Sequence, residues 1–395
     1  MAYSSSPNLI TAWLSGPIAE AFLHGPGFRW AFATFSLATP LVTLPLYALF
    51  VQNHHEAKRR GLMSQNRMGR TVWQSLLHHA VDFDLVGAAL LSLGMALFLL
   101  PFNIYPRQEL GFYSPLVIAL LIGGIVLLLF FAAWESCYAP VRFIPYHLLM
   151  DGTVLGSCIM ACLTFASFYI WDAYFGSFLQ VVNGLSVSQA SYVTHIYGVG
   201  ACFWALVVGL IIRRTGRFRG LALYFGMPLL IIGVCLMIRF RQPNANVGWL
   251  VLCQVLIAIA GGTLVICQQT AIMAAASHQY VAVLLAVDAM FAALGAAIGL
   301  TAAAAIWQSV FLTKLRVHLP SSELKNLDRI YGQLDVQLSY PIGSPGRIAI
   351  QRAYGDGQKT MLLWGAGLLV PAVLSVAAWR DINVKHAQQA RGNVV

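Results

Sequence analysis

Long apolar runs separated by short polar stretches set the pattern of this chain. Nine of them, at 28–51, 83–102, 114–134, 152–172, 190–212, 221–240, 247–268, 280–306 and 361–379, are close to the length needed for a membrane span. About 20 residues at 1.5 Å rise cross the roughly 30 Å hydrocarbon core of a bilayer. A tenth run, 8–23 (NLITAWLSGPIAEAFL), is shorter and carries Glu20 near its end, so it reads as part of a span. Membrane β-barrels use alternating segments of about 10 residues, not continuous apolar runs. The pattern predicts an all-α polytopic membrane protein with nine full transmembrane helices and an N-terminal partial one.

Composition agrees. Hydrophobic residues make up 59% of the 395 and charged residues 10%, where a soluble domain carries about 25% charge. Mean hydropathy is +0.72. The net charge of +10 gathers at span borders, which fits the positive-inside bias and not nucleic-acid binding. One set of short loops holds Lys58, Arg59, Arg60, Arg67, Arg70, Arg142, Arg213, Arg214, Arg217, Arg219, Arg380, Lys385 and Arg391. The other holds only Arg29, Arg107, Arg239 and Arg241. The first set, and with it the C-terminus, is expected on the cytoplasmic side. The seven cysteines form no CxxC pair, and Cys158 and Cys162 read as small packing residues on one helix face.

Enzyme chemistry finds no foothold. His54-His55 and His78-His79 lack the HxxxH and HxxHH spacing of a di-iron desaturase, and no P-loop, GxSxG or HExxH occurs. No cofactor or metal site is expected.

Along the chain, a basic linker at 52–82 leads to Asp82-Phe-Asp84, acidic residues suited to the positive end of a helix dipole. A helix pair follows, and from Asp151 onward come six spans in a row. Between two of these lies Gly209-Leu-Ile-Ile-Arg-Arg-Thr-Gly-Arg-Phe-Arg219. It resembles the cytoplasmic signature loop of the major facilitator superfamily, G-x-x-x-D-R-x-G-R-R. Gly209, Arg214, Gly216 and Arg217 match, while Arg213 replaces the Asp and Phe218 an Arg. The glycines are expected to allow a tight turn and close packing, and Asp151 to supply the missing carboxylate.

The last outer loop, with Ile330-Tyr-Gly-Gln-Leu-Asp-Val-Gln-Leu-Ser-Tyr-Pro-Ile-Gly-Ser-Pro-Gly-Arg-Ile-Ala-Ile-Gln-Arg-Ala-Tyr-Gly-Asp356, resembles that of fungal siderophore-iron transporters, a 14-span branch of the superfamily. The runs Phe143-Ile-Pro through Asp151, Ser167–Tyr174, Gly261–Cys267, Ala274–His278 and Ala378–Ile382 are similar to that family as well. The resemblance implies a partial major facilitator fold that lacks spans one to four and part of five. Residues 1–51 would be a remnant of the N-terminal bundle and 83–150 the inserted pair. Residues 151–380 would be the C-terminal six-helix bundle with a long outer loop at 307–360, and 381–395 a cytoplasmic tail. It also implies proton-coupled uptake of a ferric siderophore, hydroxamate type, across the plasma membrane or an endosomal vesicle. The chain alone is expected not to transport. A 14-span drug:proton antiporter shares the layout, and a non-transporting fragment or half-transporter is the other alternative.

Candidate contacts follow. A ferric siderophore is rimmed with carbonyl and hydroxamate oxygens. Tyr331, Tyr340 and Tyr354 offer ring faces and hydroxyl donors, and Arg347 and Arg352 offer fixed planar donor forks, so the outer loop could close over the ligand. Trp171, Asp172 and Tyr174 form an aromatic–acid group at a span end. Gln254 and Gln268 are polar groups inside spans, which default to functional hypotheses. Asp288 is a carboxylate amid Leu285, Ala286, Val287 and Met290 and a candidate proton carrier. Gly295 and Gly299 form a GxxxG packing motif, and Tyr197 and Trp204 read as packing residues.

Overall fold

A computed structural model describes residues 6–61, 72–105, 108, 110–140, 149–275 and 280–385. Arg67, Arg70, Arg107, Arg142, Arg391 and the similar runs at 143–148 and 276–278 lie outside the described residues. Among the described residues every regular element is helical, and nine helices are long and apolar enough to cross a bilayer. The chain is an integral multi-pass membrane protein.

Helix α1 is Asn8–His24, short of a span as expected. Phe28–Arg59 is α2 and Val72–Asp82 is α3. Most of the described part of the 52–82 linker is therefore helical. Leu85–Ile104 (α4) and Pro115–Tyr138 (α5) form the helix pair. Asp84 caps α4, accepting from the Gly87 amide at 3.1 Å and the Trp134 indole at 2.9 Å. The six-span bundle comprises α6 (Gly152–Val181), α7 (Val187–Thr215), α8 (Arg219–Phe240), α9 (Val247–Ala275), α10 (Val281–His318) and a final helix, Pro345–Ala377. Two short helices, α11 (Leu327–Gly332) and α12 (Leu334–Ser339), precede that final helix, α13.

Membrane helices associate through close packing and hydrogen bonds, because lipid is as apolar as their side chains. The GxxxG of α10 does this against α6. A Cβ on Gly295 would sit 2.1 Å from the Cys162 carbonyl oxygen, and one on Gly299 2.6 Å from that of Ala166. Helix α9 is the most enclosed span and α2 the least, with no buried residue on it. Helix α1 lies on α7. Gly16 meets Ser191, Trp13 packs on Tyr192 at 5.8 Å, and Glu20 accepts from the Ser188 hydroxyl and amide.

The connection predicted at 307–360 is shorter than expected. Trp307, Phe311 and Leu315 continue the buried face of α10 at helical spacing, and the helix runs to His318. Ser344 caps α13 through the Arg347 amide at 3.2 Å, with Pro345 in the first turn, where a missing N–H costs nothing. The connection is 319–344.

The signature loop turns on Gly216, whose φ of 75° favours glycine. Its carbonyl accepts from the Val384 amide at 3.0 Å. Gly209 has open space where a Cβ would be, so close packing is not its role. Asp151 is not the loop's partner either. It caps α6 through Thr153 at 2.8 Å and pairs with Arg380 at 3.0 Å, while Arg213, Arg214 and Arg217 are exposed. Phe218 is buried against Trp379, which accounts for an aromatic residue where the signature has Arg.

Candidate functional site

A cavity of about 210 Å³ opens between α6, α7, α8 and α9. Phe168, Trp171 and Tyr197 form its aromatic wall, with Phe168 stacked on Tyr197 at 4.8 Å and edge-on to Trp171 at 5.0 Å. Thr164, Ser167 and Gln268 add polar groups. Gly261 lets Tyr197 approach, since a Cβ there would lie 2.9 Å from the ring. Tyr197 thus packs and lines the cavity at once. Trp204 is a packing residue, its indole donating to Thr263 at 3.0 Å.

Gln268 connects the cavity to Asp288. Its amide donates to the carboxylate at 2.6 Å, and both side chains are buried. Asp288 is therefore not lone. It sits at the junction of α6, α9 and α10, beside Cys158, Leu284 and Val287. Gln254, in contrast, is fully buried with no partner for either amide atom among the described residues.

Trp171 and Asp172 end the first part of α6. The helix breaks at Ala173–Tyr174 and resumes over Phe175–Val181. The break frees the Trp171 carbonyl, and Arg241 takes it, donating from Nη1 at 2.7 Å and also to Gln358 Oε1 at 2.9 Å. The guanidinium is fully buried, 3.8 Å from the Phe175 ring centre. A cation so placed gains from the ring face. Asp172 is the carboxylate that acts on it electrostatically. Arg241 and Gln358 were missed in the sequence. Arg241 falls in a polar turn that reads as an exposed loop, and a fold-back onto the α6 break leaves no local signal.

Of the outer-loop candidates, Tyr331 and Tyr354 both pack on Phe311 and Arg347 and Tyr354 meet at Gln337, while Tyr340 and Arg352 lie apart from them. Arg347 and Tyr354 lie on α13 and are buried. Arg347 donates to the carbonyls of Val181 at 3.1 Å, Gln180 at 3.4 Å and Gln337. The Tyr354 hydroxyl donates to Gln337 Oε1 at 2.8 Å, and Gln337 in turn donates to the Ile330 carbonyl at 2.7 Å. These side chains staple the connection onto the bundle. Tyr331 packs beside Phe311 at 6.0 Å, and Tyr174 stacks on Trp307 at 4.2 Å. Tyr340 donates to Glu323 at 2.7 Å. Burial, then that hydrogen bond and the Glu323 charge, push its hydroxyl above the ordinary tyrosine value, against a smaller pull from Asn326. Arg352 is exposed, in a separate hollow of about 540 Å³ with Gln242, His318 and Asp356.

No protein-family model matches the chain. It is 54% identical over 394 residues to MFS siderochrome iron transporter 1 of Ajellomyces capsulatus, covering 100% of this chain and 67% of that protein. The chain belongs to the siderochrome iron transporter family of the major facilitator superfamily. Siderophore iron transporter mirB of Emericella nidulans is 40% identical over 394 residues, covering 100% of this chain and 65% of the other. Siderochrome iron transporter 2 of Aspergillus fumigatus is 40% identical over 388 residues, with 98% and 64% covered. The chain thus spans about two thirds of the length of these siderochrome transporters. A bacterial homolog of the human lysosomal transporter Spinster, inward-facing and unoccupied, overlaps 73% of this chain and 68% of that chain at TM-score 0.41 and 16% identity.

Proposed function

We propose that this chain supplies the C-terminal part of a proton-coupled importer of ferric hydroxamate siderophores that works by alternating access. The aromatic and amide-lined cavity between α6 and α9 carries the reading. Ring faces and neutral donors suit a bulky complex rimmed with oxygens. Its volume of about 210 Å³ falls below the roughly 300–1,000 Å³ of small-molecule sites, so it serves as one wall of a larger site. The second wall belongs to the part of the siderochrome transporters that this chain does not span. In this scheme 1–51 ends the N-terminal bundle, 52–82 links it to the inserted pair at 83–150, and 151–380 is the C-terminal bundle.

Trp171, Asp172 and Gln268 face the substrate path, while Gln254, Tyr174, Tyr331, Tyr340, Arg347 and Tyr354 shape the bundle and its outer connection. Arg352 is the member of the outer group open to a ligand. The basic residues on α2 and the signature loop support a cytoplasmic side for those ends and for the C-terminus through the positive-inside bias, and the membrane in this reading is the plasma membrane or an endosomal vesicle. The relatives named above are siderophore transporters, which favours this reading over a drug:proton antiporter.

The test is uptake of radiolabelled ferric hydroxamate by cells lacking their own siderophore uptake. The chain joined to the remaining third of the Ajellomyces protein should take up iron, and the chain alone should not. A chimera that reaches the membrane and takes up none overturns the proposal.

A further inference from the structure

Gln268 faces two ways. On one side it lines the cavity with Phe168, Trp171 and Tyr197. On the other its Nε2 donates to Asp288 Oδ1 at 2.6 Å, across the seam between α9 and α10. Both side chains are buried, and this is the one hydrogen bond of either among the described residues. A terminal amide has an acceptor oxygen and a donor NH2, so the atom that meets Asp288 decides which one is left for the cavity. An ionised carboxylate only accepts, which holds Nε2 against it and leaves Oε1 to the cavity. A protonated carboxyl gains an O–H donor, and Oε1 then becomes its natural partner. A half-turn about the last side-chain torsion, which is soft and two-fold, exchanges the two atoms without changing the volume filled. The neighbours give that exchange a consequence. Thr164 and Ser167 spend their hydroxyl hydrogens on the Met160 and Gly365 carbonyls at 2.7 and 2.8 Å, so both offer acceptor oxygens to the cavity. One more acceptor at Gln268 mismatches a complex rimmed with oxygens, whereas an NH2 there matches it.

We propose that Gln268 is an amide switch between Asp288 and the cavity, showing its oxygen to the cavity when Asp288 is ionised and its NH2 when Asp288 is protonated. The NH2 orientation donates to the oxygen rim of a ferric hydroxamate, so the proton and the complex favour each other's binding. The proposal rests on the transporter reading above and deepens it. One proton from the aqueous phase forms an O–H bond on Asp288, the carboxylate charge is neutralised, and no other covalent bond changes. Ionisation returns the proton to water. The groups packed around Asp288 leave its proton uncontested. From α6 comes the Cys158 thiol and from α9 the neutral Gln268, with Ile272. Helix α4, which also touches α10, has no titratable side chain between Leu85 and Ile104. Helix α13 meets α10 at Trp307, beside Gly357, roughly 28 Å further along α10. No Lys, Arg or His pairs with Asp288 among the described residues.

The experiment is an infrared pH titration of the purified chain in lipid nanodiscs. Acid-minus-neutral spectra should contain a carboxyl C=O band that Asp288→Asn removes, and a glutamine amide band with the same midpoint. Gln268→Leu should remove the amide band and raise the carboxyl frequency, because the O–H loses its acceptor. Gln254→Leu, at another buried glutamine of α9, should keep both bands. An amide band that survives Gln268→Leu, or a carboxyl spectrum equal in wild type and Asp288→Asn, overturns the proposal. If Asp288→Asn does not fold, the Gln268→Leu comparison alone decides. The binding arm uses ferrichrome, a neutral ferric trihydroxamate, and the full-length chimera. Its affinity should be about fivefold higher below the infrared midpoint than above it, the worth of one hydrogen bond, and independent of pH in Gln268→Leu. Both bands without ferrichrome binding at any pH overturn the transporter reading alone. Binding that does not vary with pH in wild type, or varies equally in Gln268→Leu, overturns the amide switch alone.

Discussion

Replacing Gly295 with Ala should destabilise the bundle, and replacing Gly209 with Ala should not, although both changes add one methyl group to a membrane helix. At Gly295 the new Cβ would lie 2.1 Å from the Cys162 carbonyl oxygen and 2.8 Å from its Cα and carbonyl carbon. These are backbone atoms, so no rotamer change relieves the clash. Helices α6 and α10 must part by about 1 Å or more to restore ordinary contact, and a gap of that size forfeits a quarter to a half of each dispersion well along the seam. Overpacking of this kind costs about 1–3 kcal/mol. Ala is favoured over Gly inside a helix by about 1 kcal/mol, which offsets part of it and leaves a net loss of up to about 2 kcal/mol. Gly209 has nothing within 4 Å of its would-be Cβ, so only the propensity gain remains. The assay is thermal unfolding in one detergent, read by the fraction that elutes as a monodisperse peak after heating. Gly295→Ala should lower the midpoint and Gly209→Ala should hold or raise it. Equal midpoints for Gly295→Ala and wild type would mean that the α6–α10 seam is not closed at this glycine.

Two further changes probe the outer connection. Arg347→Met should leave the Gln180 and Gln337 carbonyls without the Arg347 donor, while Val181 keeps its bond from Gln351 at 3.3 Å, at a cost of about 2–3 kcal/mol, and limited proteolysis should then cut within 319–344 markedly faster than in wild type. Tyr340 has a folded value raised above its unfolded one, so its bond to Glu323 contributes stability that is full below the ordinary tyrosine range and lost as pH rises through the folded value. A tyrosinate absorbance titration of wild type minus Tyr340→Phe should therefore show a component above that of free tyrosine, and a component at the ordinary value would refute the bond.

Span positions were legible because each bilayer crossing repeats one strong signal, apolar length, and nine such runs became nine helices. The shortness of the helix over 8–23 was equally legible, since Glu20 near its end and the length of the run both fall short of an apolar span. The candidate site was less so. Trp171 and Gln268 line the cavity as a polar or aromatic residue inside a span suggests. Arg347 and Tyr354 look in sequence like ligand groups on a loop, yet their side chains close carbonyls at the end of α6 and the amide of Gln337. A donor-rich loop has the same composition whether its donors face a ligand or its own backbone, and only tertiary structure separates the two. Arg241 shows the reverse. A basic residue after a span reads as a border charge, and its burial over Phe175 depends on the break in α6, which local composition does not announce.

The distribution of satisfied and unsatisfied polar groups locates where the bundle can move. At the outer end of α13 the buried donors are committed, and Arg352 alone of the outer candidates on this helix is exposed. Arg347 serves three carbonyls, Tyr354 donates to Gln337, which donates on to the Ile330 carbonyl, and Ser344 caps the helix. Breaking such a cluster leaves several buried carbonyls bare at once, each at a cost of about 1–3 kcal/mol, so this end should travel as a rigid body. At the α6 break the balance is different. Arg241 holds the Trp171 carbonyl with one nitrogen while two others, with Gln358 Nε2, have no partner among the described residues. A network only partly satisfied in one state can gain bonds in another, whereas a saturated one can only lose them. Motion between states is therefore cheapest at residues 172–175, next to the cavity wall. In the proposed transport cycle, a substrate resting on Phe168, Trp171 and Tyr197 would touch this segment without disturbing the staples above it.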